Sequence, residues 1–522
     1  MESSFIKRLW RRLWFRAITW AALVLLAAPI LLREGIDWSG RRRWAAAQEM
    51  LAGEGESLDF HKIAPDPVPD DQNFCAIPAL KDLPLASDKP GDKSPLGLER
   101  MRLENAPPSD LSSCPDLPDG AVCGRPVDLK QWAAWLRNPA GAAALPDSEN
   151  SAREILASLS PDEALIGDLS PGLPRPWSQW TPSWRTRPLP ESLYDIRDPY
   201  MMVPVQHLDP ILCLRAIAEA RAGNAAAAHQ SLLILVRIIQ ANGGDPSDRE
   251  VGLIVSSGIT KDICSTVWEL CAAHCGTAED FRTLQQALVQ LDYKEFSLLA
   301  LRSELASAVN AVENVRRSQD NNGSAFNAFP SPLGAAIARL LPPHLIPDGW
   351  FDGNAALLVQ WYHDYFIKPL RDDGFMALLA RQKDFVAVAD AYHTPPPFQD
   401  LGDTMMSMFR PSFATHDVIY TQSLVNESIA ACALERYRIA HGFYPDTLEA
   451  ANEPGEKSIP LDIISGKPMR YRKTADGRYA LWCVNFDGKD NGARRLLRHD
   501  LASTYLHSSM DHGDWVWGFA VQ

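Results

Sequence analysis

AITWAALVLLAAPILL, residues 17–32, is the stretch on which the architecture turns. It carries no charge, and with Trp14 and Phe15 in front the apolar run reaches about 18 residues, enough for a helix to cross a bilayer. Trp10, Trp14 and Trp20 on one side and Trp38 and Trp44 on the other suit interfacial belts. Pro29, near the end, is tolerated in a membrane helix. Lys7, Arg8, Arg11, Arg12 and Arg16 precede the run, and Arg33, Arg41, Arg42 and Arg43 follow it. The positive-inside rule makes residues 1–14 a basic cytoplasmic tail and 15–32 a single transmembrane helix, with the bulk of the chain outside. For a bacterial-type inner membrane that places the bulk in the periplasm. A cleaved signal peptide is the rival reading, but the run is long for a signal core and lacks a small-x-small cleavage site.

The 522 residues are too many for one small core and imply about three units beyond the anchor. With 46% apolar residues, real cores can form. The net charge of −14 repels phosphate backbones, and no basic stripe outside the N-terminus offsets it, so nucleic acid is excluded as a partner.

Residues 41–60 read as a short helix leaving the membrane, ended by Gly53 and Gly55. The region 41–205 is loop-rich, because 23 of the chain's 40 prolines fall within 61–205 and interrupt regular helices. LKQWAAWL (129–136) and SAREILASL (151–159) are its short helical pieces. Trp177, Trp180 and Trp184 could form a sugar-binding platform, but Pro176 and Pro182 break their spacing, and aromatic anchors tying a loop to a core fit better.

Residues 206–410 have helical periodicity. A first pair of helices is split at Gly223–Asn224, a helix end followed by a cap. Further helices are expected over 250–275, 278–291, 294–317, 354–370 and 375–394, with LPPHLIPDGWFDGN (341–354) as a loop. No 34-residue repeat follows, so this is an irregular helical array. The whole is mostly α: anchor, Pro-rich loop layer, helical array and a small α+β C-terminal unit at 415–522.

Local catalytic signatures are absent. There is no His-Glu-x-x-His, no phosphate-binding Gly-x-x-x-x-Gly-Lys loop and no Gly-x-Ser-x-Gly elbow. Ser256 and Ser257 read as structural. Cys264, Cys271 and Cys275 share a helical face and read as buried thiols, with a zinc site including His274 as the alternative. His363, Asp364, Asp372 and Asp373 are spread over different faces and read as solvated rather than as metal ligands. Cys114 and Cys123 can pair in an oxidising compartment.

The C-terminal unit begins with an amphipathic helix, DVIYTQSLVNESIAACALERYRIAHG, from Asp417 to Gly442. Val418, Leu424, Val425, Ile429, Cys432 and Ala433 lie on one stripe. A hairpin follows over 469–472 and 478–484, turning at 475–477, and 514–519 is a last strand. Tyr437, His441, Gly442, Tyr444 and Pro445, then Asp462, Gly466, Pro468 and Tyr471, then Gly477 and Tyr479, then Asp487, Gly488, Asp490 and Gly492, and finally Asp514 and Trp517, give this stretch its character. In that order it resembles the globular head of type II secretion pseudopilins, particularly the major one. The resemblance spans about 105 residues. The cleaved Gly-Phe-Thr-Leu-x-Glu leader of that family is missing, and nearly 400 residues separate anchor from head, so the chain looks like one that borrowed the head rather than a pilus subunit. The resemblance implies calcium in the terminal loop, nominating Asp487, Asp490 and Asp514. The loop is not an EF-hand, since counting from Asp487 puts Lys489 at position 3 and Arg498 at position 12.

These readings point to a membrane-tethered, extracytoplasmic interaction or scaffold protein without catalytic activity, with unidentified protein partners and a link to secretion or envelope assembly. The alternative is a hydrolase acting on envelope polymers, or a carbohydrate-binding protein.

Overall fold

The computed structural model describes residues 2–81, 124, 126–137, 150–160, 163–180, 189, 193, 202–247, 249–318, 346–392, 413–453, 455, 457–494 and 513–518. Cys114, Cys123 and Trp184 lie outside the described residues, as do the side chains of Trp10 and of the basic residues before Arg16.

The structure is mostly helical. Helix α1 (Glu2–Gly53) is followed by the short helices α2 (Leu129–Arg137), α3 (Ser151–Ser158) and α4 (Glu163–Leu169). The body comprises α5 (Met202–Ala222), α6 (Ala225–Gly243), α7 (Arg249–Ala272), α8 (Ala278–Leu288) and α9 (Tyr293–Ser318). It continues with α10 (Asp348–Tyr362), α11 (Lys368–Asp373), α12 (Phe375–Ala391) and α13 (Thr415–His441).

Helix α1 is a single 52-residue helix, about 78 Å long at the usual rise. The membrane helix and the exit helix, expected as separate pieces, are therefore one rod. Gly35 and Gly40 do not interrupt it: Arg33 pairs with Asp37 one turn on, at 3.8 Å, and from Ile36 onward the helix gains tertiary packing. Its apolar stretch is long and hydrophobic enough to cross a membrane, and that window has no burial at all. Leu25 and Trp20 are 74% and 66% exposed. The rod ends after Gly53, with Gly55 at a positive φ of 73°.

Above the apolar stretch α1 lies along α10. The segment 348–354, expected as loop, is the first half of α10, which starts after the N-cap Pro347. Its glycines are helix-crossing residues rather than loop formers. A Cβ on Gly40 would sit 1.7 Å from the Gly349 carbonyl oxygen, and one on Gly349 would sit 2.3 Å from the Asp37 Cα. Only residues without a side chain permit that approach.

The body follows from its caps. Gly223, at φ 84°, ends α5, and the Asn224 side chain accepts from the Ala227 N–H to start α6. Thr277 and Asp280 form a reciprocal capping box on α8. The Pro-rich layer is tied down by pairing at Asn73: Trp177 bridges it in parallel, and the Asn73 side chain exchanges hydrogen bonds of 2.8 and 2.9 Å with the Gln179 backbone. Trp180 is buried and donates to the Asn242 side chain at 2.8 Å. Trp132 and Trp135 pack edge to face and cover Ile211 and Leu214 of α5.

Helix α13 ends in a left-handed Gly442 whose N–H returns to the Arg438 carbonyl. Every stripe residue expected on it is buried. It packs between α7 and α8, so the core runs without a break from Ala47 to Trp517. A three-stranded antiparallel sheet closes the chain: β1 (Arg470–Lys473), β2 (Tyr479–Cys483) and β3 (Trp515–Gly518), in that order. Tyr471 faces Leu481, and Leu481 faces Trp517.

Candidate functional site

The end of α1 meets a dense ionic network. Glu54 receives Lys368 Nζ at 2.7 Å and the Arg371 guanidinium. Glu56 receives Arg302 through two bonds of 2.7 and 2.9 Å and Arg371 at 3.1 Å. The hydrogen bond from Lys368, then that from Arg371, holds the Glu54 carboxyl down at about 2. Burial pushes Glu56 up, but Arg302 and Arg371 outweigh it and leave that carboxyl below its usual value. The network clasps α1 to α9 and α11, so that the rod is held at both its crossing and its end. Nothing local in the sequence marks these residues, because their partners are about 250 to 320 positions away.

His363 sits beside this clasp. It opens a one-turn π-helix, His363–Ile367, and is buried with Nδ1 2.8 Å from the Asp364 carboxylate and Nε2 3.8 Å from Glu54. Asp372 is paired with Arg371 at 2.8 Å, and Asp373 lies elsewhere, on a cleft. These four residues do not converge.

In the C-terminal loop, Asp490 accepts Trp482 Nε1 at 3.0 Å and the Gly492 N–H at 2.9 Å, and Arg470 lies 3.2 Å away. Asp514 accepts the Asn491 N–H through both oxygens at 3.0 and 3.1 Å and the Ala493 N–H at 2.9 Å. Asp487 caps its own turn at the Lys489 N–H. The structure thus brings Asp490 and Asp514 to one loop and turns their oxygens onto protein donors. Among the described residues no three His, Cys, Asp or Glu side chains are grouped so that they could hold a metal. Of the residues carrying the pseudopilin resemblance, Tyr444 donates to the buried Glu435 and Tyr471 donates to the Pro445 carbonyl at 2.8 Å.

Between α7 and α13, Ser257 bonds Asp417 and Thr421, and Lys261 pairs with Asp417. Ser257 is fully buried, so this group locks two helices and offers no reachable nucleophile. His274 Nδ1 lies 3.2 Å from the Glu435 carboxylate. The seven cysteines among the described residues are free and buried. Burial pushes Cys75 and Cys264 up to about 12, where a thiolate is scarce. On α5 and α7, the buried Asp209 adjoins the half-buried Asp262. Burial, then the neighbouring Asp262, drives Asp209 far above the usual carboxyl value, and burial lifts Asp262 to about 6. Sequence reading missed this pair, since the two residues stand on separate helices and only folding joins them.

Two clefts remain. One, of about 670 Å³, runs beside α1 and is lined by Trp44, Gln48, Phe60, Val309 and Phe351. The other, of about 580 Å³, lies between the α8–α9 turn and the loop 457–466, with Asn426 and Phe375 on its walls.

No family profile, curated protein or solved structure matches this chain. The site therefore rests on its own geometry. Ser257 is buried and bonded, and of the two described tryptophans of the candidate sugar platform Trp180 is an anchor inside the fold while Trp177 is 54% exposed. What the geometry arranges with most care is the joint between α1 and the body.

Proposed function

We propose that the protein is a membrane-tethered interaction or scaffold protein without catalytic activity, spanning a bacterial-type inner membrane once, with its bulk in the periplasm. One observation carries the reading: α1 runs unbroken from a fully exposed apolar stretch into the body's core, where Asp37, Gly40, Glu54 and Glu56 fix it. A flexible tether would suffice to keep an enzyme near a membrane. A rigid rod clasped at two points instead sets the height and orientation of the body above the bilayer, which is what a scaffold needs. The pseudopilin-like C-terminal unit, with the 580 Å³ cleft beside it, is the surface assigned to partners in a secretion or envelope assembly.

The test is in-cell crosslinking followed by purification from solubilised membranes. An envelope protein should be recovered reproducibly, and its crosslinks should map to the C-terminal unit. Recovery of the chain alone sinks the scaffold reading.

A further inference from the structure

The membrane-facing end of the body presents a feature that the tether does not require. Arg41, Arg42 and Arg43 are three consecutive exposed arginines on a chain whose net charge is −14. At about 100° per residue they fan over about 200° of the circumference of α1. Asp37, Gly40 and Ala47 face the body and are buried, Arg42 lies on the opposite side, and Arg41 and Arg43 flank it. None of the three forms an ion pair among the described residues; burial raises the Asp352 carboxyl, and Arg41 lies near enough to oppose that rise only slightly. Two of the nearby acids have their own partners: Asp37 holds Gly349 and Arg33, and Asp352 lies 3.4 Å from Arg316. The Arg42 guanidinium instead lies 5.5 Å over the ring of Trp38, which is 61% exposed.

Height decides what this collar meets. Six residues beyond Leu32, Trp38 stands about 9 Å above the apolar run, and Arg41–Arg43 stand about 14–17 Å above it. The headgroup layer is about 5–8 Å thick on each side. The Cα–Cβ bonds of a helix tilt toward its N-terminus, which here is the membrane end, and the Arg42 side chain follows that tilt to lie over Trp38 one turn below, whereas Arg43 lies against Gly353 of α10. Trp38 then stands at the outer edge of the headgroup layer, and the long stem of Arg42 brings its guanidinium down to that depth.

We infer that Arg41, Arg42 and Trp38 form a collar that binds the headgroups of anionic phospholipids in the leaflet from which α1 emerges. Guanidinium matches phosphate by paired hydrogen bonds, and the indole occupies the interface beneath it. The collar seats the body on the membrane and adds a lipid preference to the tether. This rests on α1 spanning the bilayer, and not on any protein partner.

The full chain in mild detergent is titrated with phosphatidylglycerol and, separately, with phosphatidylcholine, and bound lipid is counted by native mass spectrometry. Each basic residue near an anionic surface is worth about five-fold in binding. The double variant R41Q/R42Q should therefore lose about 25-fold in apparent affinity for phosphatidylglycerol, with phosphatidylcholine unchanged, and R41K/R42K should restore it. Arg43 is left in place because its guanidinium lies against Gly353 of α10. Unchanged phosphatidylglycerol binding in the double variant overturns the inference. So does displacement of the lipid by glycerophosphate at equal concentration, which would make the site one for a free phosphate ester. Alkaline carbonate extraction separates the two failures: release of the wild-type chain from membranes removes the anchor itself, whereas retention with unaltered lipid binding removes only the collar.

Discussion

The Asp37 carboxylate accepts a 2.7 Å hydrogen bond from the Gly349 N–H, so the first turn of α10 is capped by a residue 312 positions earlier in the chain. Pro347 supplies no side-chain cap of its own. An exposed N-cap substitution costs about 0.5–2 kcal/mol, and this one is buried. Replacing Asp37 by Ala should destabilise the full chain by about 1–2 kcal/mol in thermal melts in detergent. A melting midpoint equal to wild type would show that the cap is dispensable.

The glycines of α1 should behave oppositely. A Cβ at Gly40 would collide with backbone, whereas one at Gly35 meets nothing within 4 Å. Gly40→Ala should cost about 2–3 kcal/mol through forced separation of α1 from α10. Gly35→Ala should stabilise by about 0.5–1 kcal/mol, since alanine is the better helix former. Equal effects from the two would mean that the crossing is not close-packed.

These same residues explain what could be read from sequence. Gly442 and the Gly223–Asn224 junction are local signals, and both helix boundaries stood where those signals put them. The stripe on α13 and the two strands of the hairpin are likewise written in short periods. Gly349 and Gly353 were misleading, because glycine marks a loop and a close helix crossing with the same letter, and only the partner helix distinguishes them. The clasp at Glu54 and the Asp209–Asp262 pair carry no local signature, since each is assembled from residues distant in sequence.

The clasp should respond to acid. Glu54 has its carboxyl held at about 2 against a usual 4.5, so its contribution to folding is fully present above about 4.5 and is lost as pH falls toward 2. The protection factor for hydrogen exchange at residues 50–56, taken against the intrinsic rate at each pH, should fall across that window. Glu54→Gln should exchange fast at every pH, flattening the profile. A wild-type profile that is flat from pH 5 to 2 would remove Glu54 from the joint.

The terminal loop makes a prediction about metal. The oxygens of Asp490 and Asp514 are taken up by N–H donors and Arg470. A cation would have to displace them, so melts of the full chain should superimpose in calcium and in chelator. Asp514→Ala should still lower stability, by about 2 kcal/mol, because it frees backbone donors that the carboxylate now satisfies. A calcium-dependent rise in midpoint that Asp490→Ala abolishes would restore the metal site that the pseudopilin resemblance implies.

Thiol chemistry offers a count. Seven of the nine cysteines are described, free and buried, which leaves Cys114 and Cys123 as the two others. Native protein should take up no more than two equivalents of a maleimide at pH 7, and all free thiols should react once the chain is denatured. Labelling of Cys264 or Cys432 in the native state would show that the seam between α7 and α13 opens.

The adjoining pair Asp209, buried, and Asp262, half-buried, should titrate stability in the sense opposite to Glu54. Both carboxyls are raised from a usual 3.8, Asp262 to about 6 and Asp209 well above its usual value, first by burial. Two adjoining carboxyls withdrawn from water hold a proton that the unfolded chain has already released. Between about 4 and 6 the folded state therefore binds more protons than the unfolded one, and stability falls as pH rises through that window. Asp209→Asn removes the second charge while keeping an oxygen for the Cys213 thiol, which now donates to Asp209 at 3.3 Å. The variant should be more stable than wild type above pH 6, and the gain should vanish below about pH 4. A variant that is less stable at pH 7 than at pH 4, in parallel with wild type, would show that the two carboxyls do not share a proton and that Asp209 is held by contacts other than Asp262.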